Sequence, residues 1–135
     1  MEKVLITVTK TDNGYAAICE LLEGWVVTVT GNFTQLQQQI KQSIEQYIDW
    51  AKEDSEPYSP IFDSSYELIY KFDIQSLLCF YEKIFTKAAL EHMTGINQKQ
   101  LSHYACGRSK PRRAQEEKII NSLHELGREL LAISI

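Results

Sequence analysis

The sequence has no run approaching the roughly 18 to 20 consecutive apolar residues that a membrane-spanning helix requires, and charged residues make up 24% of its 135 positions. A spanning protein is excluded and a soluble chain is expected. The opening residues also lack the basic start and continuous apolar stretch of a secretory leader, since Glu2 is acidic and Val4, Ile6 and Val8 alternate with polar neighbours. The expected location is cytoplasmic. Cysteine is scarce: Cys19, Cys79 and Cys106 are odd in number, widely spaced and without a Cys-x-x-Cys pair or a Cys/His set that would close a tetrahedral zinc site. They read as reduced structural thiols, and His103 with Cys106 three residues on supplies only two candidate ligands. A Gly-rich phosphate loop, a Ser/His/Asp arrangement and an internal repeat are missing as well. Neither a metal nor a cofactor is expected.

The length allows one or two small domains and excludes the large enzyme folds. Charge argues for two. Residues 1–76 carry five Lys against twelve Asp and Glu, a net −7, whereas residues 77–135 carry nine Lys and Arg against six Glu, a net +3. Four of those nine cations fall in the run Arg108-Ser109-Lys110-Pro111-Arg112-Arg113. Such asymmetry suggests two modules with different partners.

Val4, Ile6 and Val8 have the period of a strand buried on one face, and Thr11-Asp12-Asn13-Gly14 reads as a tight turn. Tyr15 to Leu22 and Trp25 to Thr30 are predicted as two further strands, with a turn at Glu23-Gly24. Thr34 and Gln37 have the spacing of a capping box, so a helix is expected to start there and to bury Leu36, Ile40, Ile44, Ile48 and Ala51. The Pro- and Ser-containing segment 53–65 is a loop, followed by a strand in which Tyr66, Leu68, Tyr70 and Phe72 alternate with Glu67 and Lys71. Strand, strand, strand, helix, strand describes a small α+β unit.

From Asp73, a predicted helix cap, the periodicity turns helical, with Leu77, Leu78, Tyr81 and Ile84 as one expected apolar face. A short helix over Thr86–Met93, a turn at Thr94-Gly95-Ile96, and a second helix capped by Asn97 and ended by Gly107 should follow. Pro111 precedes a last long helix carrying Ile119, Ile120, Leu123 and Leu126, which Gly127 is expected to interrupt. Leu131, Ile133 and Ile135 then alternate like a terminal strand.

Residues 86–107, with Gly95-Ile96-Asn97-Gln98, Leu101-Ser102 and the closing Gly107, resemble the Cro/repressor (Xre-like) helix-turn-helix family. Glu91 departs from it, standing where that family usually has a small Ala. The resemblance implies that Gln98, Lys99 and, one turn later, His103 read base edges and that Asn97 and Ser102 contact phosphate. The chemistry suits the role, because Gln pairs with an adenine edge, Lys donates to guanine, and His donates or accepts according to its tautomer. Arg108, Lys110, Arg112 and Arg113 are candidate DNA-backbone contacts.

Residues 3–72 resemble the HicB antitoxin domain, a partial RNase H fold, through Tyr15-Ala16-Ala17-Ile18, Glu23-Gly24-Trp25, Thr30-Gly31-Asn32-Phe33-Thr34 and the helix Leu36 to Ile48. HicB-type antitoxins commonly carry a DNA-binding tail. RNase H chemistry needs several carboxylates converging on metal ions roughly 4 Å apart, and the strands offer only Glu20 and Glu67. A non-catalytic domain is therefore expected. Together the two resemblances imply an HicB-like toxin-binding domain over 1–72 and a helix-turn-helix domain over 73–135, in an antitoxin that masks a small basic HicA-like toxin and represses its own operon. A homodimer engaging two DNA half-sites is expected. The alternatives are a stand-alone repressor whose N-terminal domain dimerises or senses a ligand and, more remotely, a nuclease-like enzyme.

Overall fold

The computed structural model describes all 135 residues. Two compact units of an α+β chain divide it, Met1–Asp73 and Ile74–Ile135. None of its helices is long and apolar enough to cross a membrane.

In the first unit, β1 (Glu2–Thr11), β2 (Gly14–Ile18) and β3 (Val26–Val29) form an antiparallel meander; α1 (Phe33–Glu53) and a 3-10 turn (Pro60–Asp63) then lead to β4 (Tyr66–Phe72). The sheet order is β3-β2-β1-β4, and β4 lies parallel to β1 with Val4, Ile6 and Val8 opposite Leu68, Tyr70 and Phe72. A parallel neighbour requires a crossover, which α1 supplies by carrying the chain back to the end where β1 began. Leu36, Ile40, Ile44, Ile48 and Ala51 all face inward, and with Val4, Ile6, Val8, Ala17 and Val29 they make the core. Each fully buried Leu or Ile contributes about 1.5–3 kcal/mol relative to an exposed one.

Three expectations about this unit change. The helix cap lies two residues before Thr34: Asn32 is the cap, its side chain accepting the Gln35 backbone N–H at 2.9 Å while the Gln35 side chain accepts the Asn32 N–H at 2.9 Å. Asn32 wins because Gly31, at φ +94°, turns the chain sharply just before it. The second strand ends at Ile18 rather than Leu22. Successive reverse turns, Leu22 N–H to Cys19 O and Trp25 N–H to Leu22 O, fold the segment back and bury Cys19, Leu22 and Trp25, so Glu20 lies in a turn instead of on a strand. Trp25 Nε1 donates to Ser43 Oγ at 2.9 Å, and burial pushes the Cys19 thiol pKa up, disfavouring the reactive thiolate. The 53–65 loop contains the 3-10 turn, which Ser59 caps and which buries Phe62.

The face of the sheet opposite α1 carries Leu5, Ile18, Val26 and Ile69, all exposed. Leu5 pairs with Ile69, Ile18 pairs with Val26, and Ile18 also pairs with Thr7, two residues along from Leu5 on the same face. The four form an apolar band across all four strands.

The second unit comprises α2 (Ile74–Phe80), α3 (Lys87–Thr94), α4 (Gln98–Ala105) and α5 (Arg113–Ala132). Its core is Ile74, Leu78, Leu90, Ile96, Leu101, Tyr104 and Ile119, with Leu77, Phe85, Ile120 and Leu123 packed around it. Ile84 is 69% exposed and not part of the expected apolar face. Because α2 stops at Phe80, the turn closed by Ile84 and Phe85 N–H groups on Tyr81 O breaks the helical spacing, and Phe85 packs inward instead. Nor does a strand end the chain. α5 runs through Gly127 to Ala132, since one Gly costs only about 1 kcal/mol relative to Ala and the helix satisfies its own backbone, which a lone strand cannot do. Leu131, on α5, is 89% exposed, and Ile133 and Ile135 lie exposed beyond it.

Candidate nucleic-acid interface

Two short helices meet at a three-residue turn. Thr86 caps α3 by accepting the Ala89 N–H at 3.0 Å, and α3 ends at Gly95, whose φ of +76° is the left-handed conformation that glycine adopts without steric cost. Ile96 drops into the core, fastened by its N–H to Thr94 Oγ1 at 3.1 Å. Asn97 then caps α4, accepting the Lys99 N–H at 2.8 Å. Leu90 on α3 and Leu101 and Tyr104 on α4 bury against one another, which holds the pair together.

The burial of Leu101 and Tyr104 determines what α4 leaves outside. Gln98, Lys99 and Ser102 are exposed and His103 is half-buried. At about 100° per residue these four span roughly 140° of the helix circumference, a single face turned away from the core. With its side chains an α-helix is about 10–12 Å across, which matches the width of a DNA major groove.

The basic run follows directly. Arg108, Lys110, Arg112 and Arg113 are all exposed. Their loop folds back on α4: the Arg108 and Ser109 N–H groups donate to His103 O at 2.9 and 3.4 Å, and Gln100 Nε2 donates to Ser109 Oγ at 3.1 Å. Gly107, at φ +79°, makes that reversal possible. Arg113 also pairs with Glu117 one turn along α5, at 3.2 Å, an exposed contact of small energetic weight. The first of the expected backbone-contacting cations, Arg108, is thus tied through its backbone to α4, and Lys110, Arg112 and Arg113 follow within five residues.

Glu91 was legible in the sequence only as a departure from a pattern. In the structure its carboxylate reaches from α3 to the start of α4, where Oε2 accepts the Gln98 backbone N–H at 2.9 Å and Oε1 accepts from Gln98 Nε2 at 3.4 Å. No capping spacing signals this bond, because the two residues are seven apart on different helices. With Asn97 it occupies the first two α4 N–H groups, so Asn97 serves as a cap through its oxygen and retains only its amide hydrogens for a phosphate.

In the first unit, Glu67 lies on β4 opposite Lys3, and Glu20 falls outside the sheet. His103 and Cys106 touch only through Cys106 Sγ and the His103 carbonyl oxygen, at 3.6 Å. Comparison with family models, curated proteins and solved structures finds no match.

Proposed function

We propose that this chain is an HicB-type antitoxin that represses its own operon from the cytoplasm. The observation that carries the DNA-binding part of the reading is the outward face of α4, where Gln98, Lys99 and Ser102 are exposed and His103 is half-buried, joined through the His103 carbonyl to the Arg108 backbone at the start of the exposed run Arg108, Lys110 and Arg112. Side chains that can read base edges then stand beside cations that grip phosphate, the two contact classes a sequence-selective DNA binder needs. Asn97, Ser102 and Arg113 add backbone contacts at either end. A homodimer presents two such faces to half-sites about one helical turn apart.

The first unit is the toxin-binding part. A toxin that cleaves mRNA must carry positive charge to hold phosphate, and a unit of net −7 attracts it at long range. The apolar band of Leu5, Ile18, Val26 and Ile69 offers the desolvating contact that charge alone does not supply. The same band also favours a second reading, a stand-alone repressor whose first unit associates with its own copy.

Binding of the full chain to duplex DNA from upstream of its own gene tests the repressor function. Gln98→Ala and Lys99→Ala should each weaken selective binding by about 1–3 kcal/mol and leave binding to unrelated duplex nearly intact. Equal losses on both DNAs remove the base-reading role. Co-expression with the product of the neighbouring small open reading frame separates the two readings: copurification and rescued growth support the antitoxin, and their absence promotes the stand-alone repressor.

A further inference from the structure

Glu91 is held against α4 by both carboxylate oxygens, one on the Gln98 backbone N–H at 2.9 Å and one on the Gln98 side-chain Nε2 at 3.4 Å. The backbone it springs from is itself fixed, since its carbonyl accepts the Gly95 N–H at 2.8 Å and its neighbour Leu90 is buried in the core. An ionised carboxylate has no hydrogen to give and can only accept. The Gln98 amide must therefore turn its NH2 end toward Glu91 and its carbonyl oxygen away, because the inverted amide would set two acceptors face to face. One hydrogen of Nε2 is then spent on Glu91. The other remains beside Oε1, giving one donor and one acceptor side by side on the exposed face.

Adenine presents the complementary pair in the major groove, an N7 acceptor beside an N6 donor, whereas guanine presents two acceptors. We infer that Glu91 sets the polarity of the Gln98 amide and so determines that the base Gln98 reads is adenine. It is a positioning residue acting through Gln98, and the inference rests on the DNA-binding reading. It also accounts for a large acidic side chain standing where the helix-turn-helix resemblance has a small one: the carboxylate caps α4 and orders a side chain that would otherwise lose rotamer freedom on binding DNA.

The test is selection from a fully randomised duplex DNA library by the full-length chain and by Glu91→Gln, Glu91→Ala and Gln98→Ala. Gln98→Ala identifies the base pair that Gln98 reads as the position whose preference it erases. At that pair Glu91→Ala should cut the adenine preference by about tenfold, within the roughly 5- to 150-fold that one bidentate contact supplies. Glu91→Gln keeps an oxygen for the Gln98 backbone N–H but offers an NH2 to the Gln98 carbonyl, so the amide turns round and the preference moves toward guanine. Because that variant retains the α4 cap, it carries the test even where Glu91→Ala unfolds. An unchanged preference at that pair in both variants, or a loss spread evenly over every position, overturns the inference and leaves DNA binding standing. Selection by the full-length chain in which Gln98→Ala erases no position does the same. A full-length chain that enriches no sequence overturns the DNA-binding reading and this inference with it.

Discussion

The two units use their polar side chains for different purposes. In Met1–Asp73, beyond the Asn32–Gln35 capping box and the Ser59 cap, they close loops onto α1: Gln39 brackets the Thr30 backbone, accepting at 3.3 Å and donating at 2.7 Å, Tyr47 donates to Glu23 O at 2.7 Å, and Ser43 holds the Trp25 ring. In Ile74–Ile135 they cap helix ends, as Thr86, Asn97 and Glu91 do. Loop-closing polar groups serve a sheet whose partners are distant in sequence; helix caps serve elements that satisfy most of their backbone locally. In the second unit the side chains of Lys99, Ser102 and His103 take no part in these caps, and with Gln98 they form the face proposed to meet DNA. The first unit instead leaves over an apolar band and a net −7 charge. On the proposed function one surface meets a nucleic acid and the other a basic protein.

The sharpest way to separate the units is to damage one core and watch the other. Leu101→Ala, at a fully buried position, should cost about 2–5 kcal/mol. Both tryptophans, Trp25 and Trp50, belong to the first unit, so the part of the helical circular dichroism that comes from α2 to α5 should melt early while the α1 part and the tryptophan fluorescence midpoint hold. Coincident shifts of the two signals would show that the units unfold as one. The charge contrast is tested next, by replacing Arg108, Lys110, Arg112 and Arg113 together with Ala. If each neutralises one phosphate, the slope of log affinity against log salt for duplex binding falls by up to about 3.6. An unchanged slope assigns the run to solvent.

A smaller effect distinguishes the observed cap from the expected one. Asn32→Ala should lower stability in urea by about 1 kcal/mol, whereas Thr34→Ala, inside α1 and without a capping bond, should cost less than half as much. The reverse order would move the helix start back to Thr34. The smallest effect on folding is expected at the tail. Leu130→Lys with Leu131→Lys should change unfolding by less than about 0.5 kcal/mol, both residues being exposed and in the last turn of α5, where cations are tolerated. The pair should nonetheless shift sedimentation toward the monomer if this part of α5 is the seam of the proposed homodimer; an unaltered dimer would place the seam elsewhere.

Much of this architecture was legible in the chain because local rules govern it. The stripe Leu36, Ile40, Ile44, Ile48 and Ala51, the alternation in β4 and the Thr86, Gly95 and Asn97 punctuation each follow from a repeat or a cap within a few residues. Expectations failed where a short pattern met a competing one. Asn32 outcompeted Thr34 as the cap, and the turn after Phe80 displaced Ile84 in favour of Phe85. The candidate DNA contacts were nameable from their order along α4, but their surroundings were not.

Residue order alone determined the kinds of the main elements up to the tail of the chain, the charge division between the units and the side of α4 that stays polar, since these depend on period, caps and composition. Tertiary structure decided that β4 lies parallel to β1, that an apolar band crosses the open face of the sheet, and that Glu91 meets Gln98. Those outcomes depend on which distant segments pack together, and Glu91 and Gln98, seven positions apart, meet in a hydrogen bond only because the Leu90, Ile96 and Leu101 core folds α3 back upon α4.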